Sequence, residues 1–184
     1  MVIYRPVRPD ETGDVEALDN SFTTDAVIEV TAADDGFVLR TVPVDPPLRK
    51  VFPDDEDEDD RDGSCETHVA EDGDGLCGAV TFVHEAWNRR LLVADLRVSP
   101  AHRGRGIGTG LMERALARGA ELGARTAWLE VSSVNVPAVR AYRRMGFALC
   151  GLDASLYVGT SSEGETALFM SRAVAPSGPL NRAR

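Results

Sequence analysis

The sequence contains three cysteines, one lysine and few aromatic residues, and these scarcities exclude several classes of protein. Three cysteines in 184 residues, without a C-x-x-C pair, argue against a disulfide framework and against a zinc site. We therefore expect no bound metal, and reduced thiols in a cytoplasmic protein. Because Lys50 is the only lysine, the G-x-x-x-x-G-K-[ST] loop of nucleoside triphosphatases is also excluded.

Long hydrophobic runs are missing as well. No stretch approaches the ~20 consecutive apolar residues that a membrane-spanning helix needs. Residues 1–6 have neither a basic lead nor an apolar run, so we expect no signal peptide. With 43% hydrophobic and 27% charged residues, the composition is typical of a globular protein. We predict one domain over residues 1–174 and a flexible tail at 175–184.

The negative charge is concentrated in one segment. The formal net charge is −10, but residues 54–60 are all acidic and lie in a predicted loop at 53–64. A net-negative chain is a poor candidate for nucleic-acid binding, because neutralised phosphates supply most of the affinity in such complexes. The acidic run is either a solvated loop or a negative collar that concentrates a cationic substrate. A scaffold for a basic partner is a third interpretation.

The order of the predicted elements, βα followed by strands and then βαβαββ, indicates an α/β domain on one mixed sheet. Apolar segments bounded by turn residues predict strands at 2–7, 36–39, 67–70, 76–84, 91–98, 126–131, 147–158 and 165–171. Helices are predicted at 10–18 with Asp10 as the N-cap, after the glycine-rich residues 103–110 as far as about Leu122, and between Asn135 and Gly146. Apolar residues at helical spacing support the second of these helices, namely Ile107, Leu111, Ala115 and Leu122. Prolines argue against regular structure between residue 43 and the acidic run. They are Pro43, Pro46, Pro47 and Pro53.

A glycine-rich loop between a predicted strand and a predicted helix carries the strongest chemical signal. Its sequence is Arg103-Gly104-Arg105-Gly106-Ile107-Gly108. N–H groups at the start of a helix, together with the helix dipole, suit a pyrophosphate, and the two arginines add positive charge. The Rossmann motif G-x-G-x-x-G is not met, because Thr109 stands where its last glycine would be. A tight turn without a ligand is the other interpretation.

This loop resembles the [QR]-x-x-G-x-[GA] loop of the GNAT superfamily of N-acetyltransferases. The resemblance extends to the following strand and helix, through Trp128-Leu129-Glu130-Val131, Asn135, Ala138, Tyr142 and Gly146-Phe147. It implies a single domain with a mixed, mostly antiparallel sheet flanked by helices, and acetyl-CoA in a cleft between the two central strands. The cofactor-binding residues that it implies are Leu96, Arg97, Val98, Arg103, Gly104, Arg105, Gly106, Ile107, Gly108, Thr109, Asn135, Ala138 and Tyr142.

Acetyl transfer to an amine needs a base, donors for the thioester oxyanion, and an acid for the departing thiolate. By resemblance, Tyr142 is the acid. Glu130 is the first candidate for the base, because a carboxylate without a function is costly in an otherwise apolar strand. Asp95, acting through a water, is the second candidate. The scattered histidines and the lack of a G-x-S-x-G turn favour direct attack over an acyl-enzyme.

Within the superfamily, the chain resembles the streptothricin acetyltransferases. The features that carry this resemblance are Asp35-Gly36-Phe37, Lys50, the acidic run before Cys65, Trp87-Asn88, Asn135-Val136-Pro137-Ala138, Gly151-Leu152-Asp153 with Tyr157, and Glu165-Thr166-Ala167. It implies acetylation of the β-lysine arm of an aminoacyl-sugar antibiotic, a cationic amine, and a homodimer. Candidate substrate-binding residues are Asp153, Tyr157, Asp57 and Asp59. The alternatives are another amine, such as a polyamine or a protein N-terminus, and a module that binds acetyl-CoA without turnover.

Overall fold

The computed structural model describes residues 1–51 and 65–175, which form two compact units. The first unit contains residues 1–20, 65–129 and 172–175, and the second contains residues 21–51 and 130–171. The predicted acidic loop at 53–64, and the predicted tail after its first residue, lie outside the described residues. No helix in the described part is both long and apolar enough to cross a membrane.

Nine strands and three α-helices are described in chain order. The strands are β1 (Ile3–Pro6), β2 (Phe22–Ala33), β3 (Gly36–Lys50), β4 (Cys65–Asp72), β5 (Gly75–Glu85), β6 (Arg90–Val98), β7 (Thr126–Ser132), β8 (Ala148–Asp153) and β9 (Ala167–Ala173). The helices are α1 (Thr12–Glu16), α2 (Ile107–Glu121) and α3 (Val136–Arg144), and 3₁₀ turns lie at Pro9–Glu11 and Pro100–His102. Strands β7 and β9 each continue from one unit into the other.

In the first unit, the strands lie in the order β1-β4-β5-β6-β7. All neighbouring strands are antiparallel except β6 and β7. These two pair in parallel, with Arg90 opposite Thr126 at one end and Val93 opposite Leu129 at the other. Helix α2 packs on β5 and β6. The predicted apolar spacing is confirmed, since Ile107, Leu111 and Ala115 are all buried.

A β-bulge in β6 lies directly after its pairing with β7. Thr81 opposes Asp95 and Phe82 opposes Val93, so Ala94 is one extra residue on the β6 side. A bulge bends its strand and redirects the side chains that follow. It therefore changes the direction of β6 just before the Asp95–Val98 segment, and nothing in the strand's apolar pattern predicts it.

A charged cluster on β1 connects three segments of the first unit. The Arg5 guanidinium donates to both oxygens of Glu11 at 2.7 Å and to Glu71 at 2.7 Å. The Arg8 backbone N–H also donates to Glu11, at 2.9 Å. These hydrogen bonds, that of Arg5 above all, lower the pKa of Glu11 from 4.5 to about 2.

The Glu11→Gln variant should therefore lower the melting temperature in a pH-dependent way. Since the pKa of Glu11 is lower in the folded state, its ionised form stabilises the protein above about pH 4.5. That contribution disappears as the pH falls towards 2. Thermal unfolding of both proteins from pH 7 to pH 2.5 should show a difference that is full at pH 7 and shrinks below pH 4.5. A pH-independent difference would contradict this assignment.

In the second unit, β9 lies between β7 and β8 and is antiparallel to β8. Helix α3 begins as predicted. The Asn135 side chain accepts from the Ala138 N–H at 3.1 Å, and Pro137 occupies the first turn. Gly146, with φ 87°, follows its last turn, as expected.

The long β2–β3 hairpin contradicts the expectation of irregular structure around its prolines. Strand β3 runs through Pro43, Pro46 and Pro47 to Lys50. In the described residues it pairs with β2 alone, so a proline that lacks an N–H on the open edge costs no ladder bond. The register also shifts: Pro43 is opposite Ala26, but Leu48 is opposite Thr24, so residues 44–47 of β3 form an irregular bulge opposite Asp25.

Two further element predictions were wrong. In place of a helix at 10–18 with Asp10 as N-cap, a 3₁₀ turn at Pro9–Glu11 leads into α1, because the Glu11 side chain bonds back to Arg8. The strand predicted over 147–158 ends at Asp153. There the carboxylate accepts from the Ser155 N–H at 2.7 Å, a local turn that competes with the strand ladder.

Candidate active site

The glycine-rich loop joins β6 to α2 with two residues in the left-handed region. Gly104 has φ 75° and Gly106 has φ 81°, conformations that strain any residue with a Cβ. Gly106 is the N-cap of α2, and no side chain caps that helix. The N–H groups of its first turn therefore suit an anion, as the sequence predicts, and the exposed Arg105 precedes them.

Two basic side chains hold this loop in place. Arg103 donates through Nε to the Val98 carbonyl at 2.8 Å, which closes the loop on the end of β6. His102 Nε2 lies 3.1 Å from the carboxylate of Asp72, the last residue of β4. The Arg103 guanidinium thus braces the loop, which leaves Arg105 as the better placed of the two arginines for an anion.

Asp95 and Arg97 lie on the part of β6 that follows the bulge. Arg97 donates through Nε to Asp95 at 2.6 Å, and both side chains are largely buried. The Arg97 guanidinium therefore occupies one oxygen of the Asp95 carboxylate. The choice between Glu130 and Asp95 as the base stays a prediction. Leu96 and Val98 pair with β5, opposite Val80 and Gly78.

In the second unit, the structure brings together two residues that the sequence predicted for different roles. The hydroxyl of Tyr157 donates a short hydrogen bond to Glu130 Oε1, and both side chains are half-buried. Sequence spacing could not predict this contact across 27 positions. Tyr157 therefore orients the candidate base, in addition to the acceptor contact that the resemblance implies.

The other predicted residues of the second unit lie on α3 and at the end of β8. Tyr142 is half-buried on α3, with its ring 6.1 Å from that of Phe147 and inclined at 60°. Asp153 accepts from the hydroxyl and the N–H of Ser155, which lowers the pKa of its carboxyl group. Asp57 and Asp59 lie outside the described residues.

A buried ionic cluster in the second unit was not predicted as part of the site. Lys50 forms an ion pair with Glu165 and donates to Ser162 at 2.9 Å. The other Glu165 oxygen accepts from Ser132. The side chains of Lys50 and Glu165 are 13% and 14% exposed, so both charges are largely removed from water. The signal for this cluster in the sequence is that Lys50 is the chain's only lysine.

Sequence comparison assigns the family. Residues 36–147 match the model of the acetyltransferase (GNAT) family. A streptothricin acetyltransferase of Streptomyces lavendulae is 53% identical over 175 residues, which cover 91% of this chain and 93% of that protein. Both matches include the glycine-rich loop, β7 and α3.

Solved structures agree with this assignment. The crystal structure of nourseothricin acetyltransferase is 53% identical, with a TM-score of 0.88 over 95% of this chain and 99% of that one. A Bacillus anthracis protein solved with acetyl coenzyme A has a TM-score of 0.79 at 19% identity, over 94% of this chain and 99% of that one. The second likeness concerns the fold alone, a mixed and mostly antiparallel sheet with helices. The chain belongs to the acetyltransferase (GNAT) family.

Proposed function

We propose that the chain transfers the acetyl group of acetyl-CoA to a primary amine on the β-lysine arm of streptothricin and thereby inactivates the antibiotic. The observation that carries this proposal is the 53% identity to a streptothricin acetyltransferase across 91% of the chain. The uncapped start of α2, with its left-handed glycines, fits the pyrophosphate of acetyl-CoA.

Glu130 and Tyr142 divide the proton transfers in this proposal. An alkyl ammonium with a pKa of ~10 has no lone pair, so Glu130 accepts its proton. The amine nitrogen then forms a bond to the thioester carbonyl carbon, and N–H groups stabilise the oxyanion. As the tetrahedral intermediate collapses, the C–S bond breaks, Tyr142 donates its proton to the coenzyme A thiolate, and the nitrogen loses its second proton to water. A proton from solvent then restores the Tyr142 hydroxyl.

The binding residues have separate parts in the same proposal. The loop residues Arg103–Gly108, together with Thr109, bind the pyrophosphate, and the Leu96–Val98 backbone binds the pantetheine arm. Asn135 and Ala138 order the start of α3, since they share its capping hydrogen bond. A cationic acceptor bound with the help of Asp153, Asp57 and Asp59, a homodimer and a cytoplasmic location stay predictions.

Release of free thiol from acetyl-CoA tests this function, with streptothricin, simple polyamines and peptides as acceptors. We expect saturable turnover on streptothricin. The Tyr142→Phe variant should lower kcat about tenfold, less than loss of a base would. The reason is that a thiol with a pKa of ~8.5 can leave partly as the unprotonated thiolate.

Tyr4, which lies on β1 and has no role in the proposed reaction, provides the control for this experiment. Tyr4→Phe removes the same hydroxyl from β1 and should leave kcat unchanged. Turnover on another amine alone would keep the acetyltransferase and discard streptothricin as its substrate. Acetyl-CoA binding without turnover on any acceptor would favour a non-catalytic module.

A further inference from the structure

A groove of about 320 Å³ lies within the second unit, along one edge of β2. Five consecutive residues of β2, 27–31, line one side, and Ser133, Gly164 and Thr166 are among those that line the other. Successive side chains of a strand point to opposite faces, so five consecutive lining residues mean that the groove follows the backbone edge. We call this feature the β2 groove.

The direction of the β2 backbone determines what this groove offers to a ligand. The Ile28 N–H donates to the Ser133 carbonyl at 2.9 Å and so points away from β3. The N–H and C=O groups of an antiparallel strand alternate in direction with a period of two. Those of Val30 therefore also point away from β3, into the β2 groove, where they present one donor and one acceptor.

Glu29 adds a negative charge at this edge. Its side chain is exposed and lines the groove. Within residues 1–51 and 65–175, its carboxylate takes part in no hydrogen bond or ion pair. The opposite side of the groove presents neutral groups, from Ser133, Gly164 and Thr166. The charge of Glu29 is therefore available to a cation in the groove.

The far side of the β2 groove is held by the buried ionic cluster. Glu165 lies between Gly164 and Thr166 and is bound by Lys50 and Ser132. The Thr166 N–H also donates to the Ser133 hydroxyl at 3.1 Å, and the Ser133 N–H donates to the Thr166 carbonyl at 2.9 Å. A groove held in this way needs little rearrangement to accept a ligand.

We propose that the β2 groove binds the aminoacyl arm of the acceptor as an extended, cationic amide. The amide of that arm pairs with the N–H and C=O of Val30, as an added strand would, and an ammonium group lies against Glu29. The volume is within the range of small-molecule sites. This inference rests on the proposed function and assigns part of its substrate specificity to Glu29 and Val30.

Two variants test the groove with streptothricin as acceptor. Glu29→Gln should raise the KM for streptothricin about tenfold at low salt, as expected for a lost charge-assisted contact, with kcat and the KM for acetyl-CoA unchanged. Val30→Pro removes a donor that faces away from the β3 ladder, so it should raise the same KM without loss of the fold. Asp25→Asn, an equal charge change at another exposed side chain of β2, is the matched control and should change KM less than twofold.

The outcomes separate the groove from the proposed function. If the wild-type protein does not acetylate streptothricin, the proposed function fails first. If it does, and Glu29→Gln changes the KM for streptothricin no more than Asp25→Asn does, the groove assignment is wrong. This conclusion does not depend on whether Val30→Pro folds. A KM increase for a peptide acceptor alone would also overturn it, because a peptide would then be the occupant.

Discussion

Replacement of Glu130 by glutamine should lower kcat/KM for the acceptor about a thousandfold at pH 7, within the range for loss of a general base. Glutamine keeps the shape of the side chain and can still accept from Tyr157, so the contact survives while the basicity is lost. The remaining rate should rise with pH, because a larger fraction of the amine is then deprotonated in solution. The measurement is kcat/KM from pH 6 to pH 9.5.

Two further variants show whether the base is Glu130. Glu121→Gln, on the exposed end of α2, removes a carboxylate from the same chain and should leave kcat/KM unchanged. Asp95→Asn tests the rival base. A thousandfold loss with Asp95→Asn and a small one with Glu130→Gln would reverse the assignment. Equal and small losses in both would favour a water that no side chain activates.

The parts of the fold that the sequence predicted well depend on local patterns. Helix α2 was expected to end at about Leu122 and ends at Glu121, since its apolar spacing and Gly123 act within one element. The start of α3 was predicted for the same reason. Asn135 and Pro137 act on N–H groups within one turn of themselves.

The hairpin and the bulge depend on partners that sequence patterns do not show. Prolines normally end a strand because one of them removes a ladder bond, but β3 pairs along one edge in the described part of the chain. Whether a strand is at an edge is a property of the sheet. The extra residue at Ala94 likewise arises from the register between β5 and β6.

The candidate site likewise combines a feature that lies within one segment with contacts between segments far apart in the sequence. The glycine-rich loop is contiguous, so its motif identified it directly. Tyr157 and Glu130 were both named as site residues, but for separate roles, and their contact spans 27 positions. Glu29 belongs to a segment in which no strand was predicted. The sequence therefore could not indicate which of its side chains share a strand edge, or that Glu29 lines the β2 groove.

The Lys50→Met variant should lower the free energy of unfolding by about 3–5 kcal/mol, because it leaves the buried Glu165 carboxylate without its cation. For a chain of this length, that loss corresponds to a fall of roughly 10 °C in the melting temperature. Denaturant titration gives the free energy directly, and thermal unfolding checks it. Arg49→Met, the neighbouring exposed cation on β3, is the matched control and should change the stability by less than about 1 kcal/mol.

The double variant Lys50→Met/Glu165→Gln distinguishes a buried ion pair from simple loss of packing. With both charges removed, no unpaired carboxylate is left in the interior, so at least half of the lost stability should return. The single Glu165→Gln variant completes the comparison. If its loss and that of Lys50→Met add up in the double variant, the pair is not coupled and Lys50 stabilises the protein by packing alone. Since Glu165 lies between two residues that line the β2 groove, Lys50→Met should also raise the KM for streptothricin more than Arg49→Met does.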